Sequence, residues 1–264
     1  MFSARCILGA AAWRLHNRMC AAPHSVAAVC QVTCTPDKQA NFSACRRLVE
    51  EAKQRGAGMV FLPEGFDYIG SSREETLALS ESLTGETMSR YAQLARELLV
   101  WLSLGGFHER GPDWERDRRI YNTHIIMDDK GDIVSIYRKS HLFDVELPGK
   151  GVSLKESVFT IPGPSLVSPV QTPIGKVLLR ARAIETQCFV LAAAQVGRHH
   201  EKRWSHGHAL AVDPWGEVLG DCGGESPGLV LVQMNLDQVG STRRNMPVQQ
   251  HRRAPGFYLG LEDA

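Results

Sequence analysis

The sequence predicts an α/β fold, and three observations predict it: short apolar runs that read as buried strands, amphipathic runs of helical period between them, and turn residues at their junctions. The first unit is strand, helix, strand. Residues 25–31 form a short apolar strand, Thr35-Pro-Asp37 supplies a helix start, and an amphipathic run continues to Arg55, where Gly56-Ala-Gly58 stops it. Residues 59–62 are fully apolar and end at Pro63-Glu64, the pattern of a buried parallel strand with an acid at its carboxyl end.

The rhythm repeats. A helix is expected over residues 74–98, broken near Thr84-Gly85, and it feeds a buried strand over 100–104 that ends in Gly105-Gly106. Residues 120–127 and 133–137 flank Asp128-Asp-Lys-Gly131, so an antiparallel hairpin joins the parallel strands and delivers Lys139 just beyond it. The Pro- and Gly-rich passage 147–175 reads as surface loop with one short strand near 169–172. There the pattern breaks, because Lys176 is followed at once by a helical run over 177–185 with no intervening strand. Strands resume at 189–194, 208–212, 217–219 and 228–232, with no internal repeat and no second-domain linker, so 25–264 is one domain interrupted at 176/177.

Composition bounds the function. Among 264 residues, 30 basic and 29 acidic side chains nearly cancel to a net charge of +1, which gives no electrostatic footprint for nucleic acid or an anionic membrane and favours a small-molecule substrate. No apolar run approaches the roughly 20 residues that span a bilayer. Seven cysteines, without a CxxC pair, fit a reducing compartment better than a disulfide-stapled domain. Residues 1–24 carry Arg5, Arg14 and Arg18 and no acid, which fits either a mitochondrial transit leader or an upstream start with no targeting role; cytoplasmic and mitochondrial locations both follow.

Taken singly, the candidate residues are ordinary. Glu64 at a strand end reads as an exposed loop acid or, because α/β proteins gather reactive groups at strand carboxyl ends, as a general base. Lys139 reads as part of a solvated basic run or as a recessed cation for an oxyanion, and Glu146 as a loop acid or as that cation's partner. His199, His200, His206 and His208 lack the Cys/His spacing of a zinc site and read as loop histidines, and Trp204 and Trp215 as packing or interface residues. Neither a metal nor a cofactor is expected.

The combination is more specific. Phe61-Leu-Pro-Glu-Gly65, Tyr137-Arg-Lys-Ser-His-Leu-Phe-Asp-Val-Glu146 and Thr172-Pro-Ile-Gly-Lys176, in that order, resemble the nitrilase superfamily of carbon-nitrogen hydrolases. Leu179-Arg-Ala-Arg-Ala-Ile-Glu185, Gly197-Arg-His-His-Glu201 and Val212-Asp-Pro-Trp-Gly216 look like its branch of amidases acting on deaminated glutathione. The resemblance implies an α-β-β-α sandwich, a cofactor-free amidase using a glutamate, a lysine and a cysteine, and a homo-oligomer associating through helices and arms such as residues 248–253. It implies Glu64 as base, Lys139 as oxyanion stabiliser and Glu146 as supporting acid. The products in this branch would be 2-oxoglutarate and cysteinylglycine.

One departure bears on activity. In the family, the segment matching Thr172–Lys176 leads into a strand, a cysteine elbow, a helix and a further strand before the Leu-Arg-Ala-Arg helix; here Lys176 joins Val177 directly. A strand-helix-strand unit takes about 30 or more residues, so a whole block is absent, and with it the nucleophile. Cys30, Cys34, Cys45, Cys188 and Cys222 lack the elbow context. The expectations are an inactive amidase-family chain with an incomplete sandwich or, alternatively, a non-enzymatic oligomerising subunit or a product that never accumulates folded.

Overall fold

A computed structural model describes residues 25–147, 152–165, 171–172, 175–176 and 187–247. The expected helix over 177–185, the leader and the carboxyl-terminal arm lie outside the described residues. At the centre are three parallel strands, β1 (Ser25–Val32), β2 (Ala57–Leu62) and β3 (Trp101–Glu109), extended antiparallel by β4 (Tyr121–Met127) and β5 (Ile133–Arg138). The other edge of β1 is shared. Its length pairs antiparallel with β15 (Gly228–Met234), while Gln31 and Val32 pair parallel with β11 (Ala194–His200), which carries β12 (Arg203–His206) at the sheet's margin.

Helices cover one face of this sheet. In α1 (Lys38–Gln54), Asp37 caps the start by accepting the Ala40 amide at 2.9 Å, and Phe42, Cys45, Val49 and Ala52 recur at the spacing of one buried stripe. The expected long helix is two, α2 (Arg73–Leu79) and α3 (Glu86–Leu98), interrupted near the foreseen Thr84-Gly85. Met88, Tyr91 and Leu94 of α3 pack with α1 against Ala28, Cys30, Val60, Leu62, Leu102 and Leu104.

The opposite face meets a second layer. Ala27, Val29, Met59, Phe61 and Ile126 pack on Ala209, Ala211 and Leu191, which belong to or adjoin a three-stranded sheet of β10 (Val190–Ala192), β13 (Leu210–Val212) and β14 (Val218–Asp221). The buried Gln31 ties the layers together, donating to Gly223 and Ser226 carbonyls at 3.0 and 2.8 Å and accepting the Ala209 amide at 2.9 Å. Among the described residues β10 pairs only with β13, and β8 (Gln171–Thr172) with β9 (Gly175–Lys176) form a separate ribbon. In sequence the β8–β9 ribbon precedes the Lys176/Val177 join and the three-stranded sheet follows it.

Three expectations need correction, and two elements went unforeseen. The strand expected to stop at Gly105-Gly106 runs on to Glu109, because a register shift between Leu104 and Phe107, with Gly106 at φ +56°, carries it past the glycines. The passage expected as loop from residue 147 holds the second strand of a hairpin, β7 (Val152–Lys155), which pairs with β6 (Asp144–Leu147) at its start; four-residue strands signal too weakly to be seen beside a Pro/Gly-rich stretch. The expected strand 189–194 switches sheets at Ala193, its first part in β10 and its continuation in β11. Strand β12 and helix α4 (Leu236–Asn245), capped by Asn235 on the Asp237 amide, were not foreseen.

Candidate active site

Glu64 follows β2, on a turn that two neighbouring elements shape. Gly65 takes φ +70° and donates its amide to the Gly106 carbonyl at 3.0 Å. At Gly106 a Cβ would stand 2.4 Å from Glu64 Cγ, so only glycine lets β3 pass this close beneath the acid. From the other side Gln195 of β11 donates to the Glu64 and Gly65 carbonyls, both at 3.1 Å, and accepts the Cys34 amide at 3.0 Å. The turn is clamped by backbone, leaving the Glu64 side chain 66% exposed.

Lys139 arrives from β5, its backbone amide bonded to the Asn122 carbonyl at 2.8 Å and its own carbonyl accepting the Gly163 amide at 2.9 Å. Its ammonium lies 2.9 Å from Glu156 Oε2 and 3.8 Å from Glu64 Oε1. Asn122, on β4, bridges the two acids by donating to Glu64 Oε1 at 2.7 Å and to Glu156 Oε1 at 3.0 Å. Glu156 also accepts the Phe143 amide at 2.6 Å. Burial pushes the Glu156 carboxyl up, but the Phe143 amide, Lys139 and Asn122 outweigh it and hold the group below its ordinary range. Glu156 is thus a recessed carboxylate, 12% exposed, that fixes a recessed cation beside an open acid.

The structure brings Glu64 and Lys139 together as the sequence suggested. Glu146 stands in β6 opposite Ser153, and its side chain lies outside the described residues. The carboxylate that meets Lys139 among the described residues is Glu156, which sequence reasoning missed together with Asn122 and Gln195. Asn122 carried a faint signal as a polar residue in a strand otherwise rich in isoleucine; Glu156, in a turn, carried none. Behind the site, Glu109 of β3 is buried and takes Arg138 Nε at 2.8 Å and Thr123 Oγ1 at 2.6 Å, anchoring the end of β5 next to Lys139.

The histidines meet other groups of the protein. His199 is buried, bonded to the Cys34 carbonyl and to Ser205 Oγ, both at 2.7 Å, and burial holds its ring below the usual pKa against that carbonyl bond. His208 pairs with Asp221 at 2.9 Å, and the His206 ring lies tilted against His208 with centroids 4.8 Å apart. No group of three or more His, Cys, Asp or Glu assembles for a metal among the described residues. Trp204 and Trp215 are exposed on the surface.

A glutamate on a clamped turn after a parallel strand and a lysine held by a second glutamate, within an α/β sandwich, define a carbon-nitrogen hydrolase. The chain belongs to that family: the family model described as carbon-nitrogen hydrolase matches residues 26–179 and, separately, 176–244. It is similar to the deaminated glutathione amidases of Bos taurus and Homo sapiens, each 50% identical over 276 aligned positions that cover 89% of this chain and 83% or 84% of the relative. The crystal structure of the C. elegans NitFhit protein matches with a TM-score of 0.78 at 37% identity, covering 87% of this chain and 65% of that one.

Proposed function

We propose that this chain is a deaminated glutathione amidase in ancestry that keeps the base, the cation and the supporting acid of the reaction but lacks the segment carrying the nucleophile, and so does not turn over. Glu64 is placed as the base, Lys139 as the oxyanion stabiliser, and Glu156 as the acid that holds Lys139. In an intact chain a cysteine thiolate would attack the carbon of the amide joining the 2-oxoglutaryl group to cysteinylglycine, Lys139 would face the oxyanion, and the C–N bond would break with cysteinylglycine leaving as an amine that takes a proton delivered through Glu64. Water deprotonated by Glu64 would then attack the thioester, releasing 2-oxoglutarate and returning the thiolate.

The interrupted correspondence with the family carries the proposal. The two family matches meet at residues 176–179, where the chain passes from β9 toward β10. The alignment to the Bos taurus relative runs to 276 positions, more than the whole chain of 264, yet uses only 89% of the chain, about 235 residues, so about 40 positions are filled by the relative alone. Among the described residues β10 pairs with β13 alone and β8 with β9 alone, a pattern consistent with strands missing between them. Cys30, Cys34 and Cys45 are fully buried in the helix-side core, away from the face that Asn122 and Ile126 share. Loss of the nucleophile from a cooperating set costs on the order of a million-fold in turnover.

Release of 2-oxoglutarate from deaminated glutathione tests this with three proteins: the chain as it stands, the chain with the Bos taurus block grafted between Lys176 and Val177, and the graft with Glu64→Gln. Activity in the graft alone is expected. Turnover by the chain as it stands would overturn the proposed loss, and a correctly folded graft without activity would overturn the proposed substrate.

A further inference from the structure

One histidine beside the site is clamped along one edge of its ring and left open along the other. His108, near the end of β3, stands opposite Asn122 in the antiparallel pairing with β4, so both side chains leave the sheet on the same face. Asn122 is the residue that bonds Glu64 and Glu156. Two residues before His108, at Gly106, the same strand passes against the Glu64 side chain. The imidazole therefore belongs to the wall of the site that Glu64 and Lys139 form.

A buried carboxylate fixes its orientation. Asp67, three residues past Glu64, has no exposed side-chain surface, and both of its oxygens face His108. The ring Nδ1 lies 2.9 Å from Oδ1 and 3.2 Å from Oδ2, and the His108 amide donates to Oδ2 at 3.0 Å. The Tyr68 amide also donates to Oδ1 at 3.0 Å. One face of the imidazole stacks on the Tyr68 ring, with centroids 4.3 Å apart and planes at 24°, and the Tyr68 hydroxyl is tied to the Thr76 carbonyl at 2.6 Å. A carboxylate only accepts, so Nδ1 carries the proton and, in the neutral ring, Nε2 presents its lone pair.

His199 shows what a structural histidine is in this fold: buried, with both ring nitrogens bonded. His108 differs. Its side chain is 22% exposed, and among the described residues Nε2 has no hydrogen-bond partner. A ring nitrogen aimed this firmly from the opposite edge, and left unpartnered beside a reactive pair, points to a partner that arrives with the substrate.

We propose, resting on the amidase reading above, that His108 accepts the N–H of the amide that this site cuts, with Asp67 as its positioning residue. The amide between the 2-oxoglutaryl group and cysteinylglycine has a single N–H. Once the carbonyl carbon is tetrahedral, that nitrogen also has a lone pair, which must face Glu64 to take the proton that lets the C–N bond break. Holding the N–H at His108 Nε2 turns the lone pair away from His108 and toward Glu64. No proton passes through His108 and no covalent bond to it forms.

A substrate pair tests this in the grafted chain: deaminated glutathione, and its ester analogue in which oxygen replaces that N–H. Both release 2-oxoglutarate. His108→Asn keeps a donor at the position of Nδ1, facing Asp67, and deletes Nε2. It is expected to lower kcat/KM about tenfold more for the amide than for the ester, the effect of one hydrogen bond. His108→Gln, which returns a polar atom to the position of Nε2, is expected to recover part of the amide rate. Equal losses on the two substrates, or no loss on the amide, would overturn the proposal, since a purely structural role does not distinguish them. An inactive graft would overturn the substrate reading instead, and the role of His108 is then decided by NMR of isotope-labelled histidine rings in the chain as it stands. Its Nε2 resonance, assigned through His108→Asn, is expected to shift when the amide is added and not when the ester is; a resonance that moves with neither, or equally with both, would overturn the proposal.

Discussion

The two layers of this molecule have fared differently. The helix-covered sheet is continuous from β12 to β5, and β2 and β3 are buried almost throughout. In the second layer β10 is half-buried at every position, and β14 is exposed at most of its positions, with Val218 and Leu219 among the exposed apolar residues. Glu64, Asn122 and Lys139 are held from the first layer, with Glu156 just beyond the β6–β7 hairpin. The described members of the site are thus carried by the better-buried layer, and the proposed loss of activity would leave their geometry in place.

Core truncation gives the largest effect and sharpens the comparison most. Leu102→Ala, in a fully buried position of β3, is expected to cost about 3 kcal/mol, whereas Leu191→Ala, half-buried in β10, is expected to cost about 1 kcal/mol in urea denaturation of the same chain. Equal costs would mean that the second layer is packed as tightly as the first. Next comes Arg138→Met, which strands the buried Glu109 carboxylate with Thr123 as its remaining partner; a loss of about 2–3 kcal/mol is expected by the same measurement.

Two smaller effects depend on pH. Burial beside Ser103 lowers His124 to about 4, below the ordinary value near 6.5. The unfolded chain then takes up the proton first, so stability from this group is full above pH about 6.5 and declines as pH falls toward 4. His124→Asn is expected to flatten that slope in denaturation midpoints collected across the interval. The smallest effect is at Glu156, whose lowered carboxyl contributes stability above its ordinary pKa of about 4.3 and loses it as pH falls through the lower folded value. Glu156→Gln should therefore narrow the stability difference between pH 5 and pH 3, and an unchanged difference would argue against the Lys139 and Phe143 contacts.

Legibility followed the same division. The first strands and helices were readable because apolar runs at 25–31 and 59–62 and a capped amphipathic helix between them each carry a strong local signal. Glu64 and Lys139 were found through the runs around them. Glu156 and Asn122 were not, since their roles come from β4 and the β6–β7 hairpin folding onto one another, a tertiary relation with no periodicity. The sheet switch at Ala193 was hidden for a related reason: six apolar residues in a row look like one strand whichever sheet each half joins.

Native-state hydrogen exchange of the chain as it stands, read by mass spectrometry, tests the contrast between layers most directly. Amides of β1, β2 and β3 should exchange at least about a hundredfold more slowly than those of β10, β13 and β14, as expected when one cooperative unit is complete and the other is not. Equal protection in the two sheets would contradict the account, because a second layer that opens only with the first would not be missing a structural part.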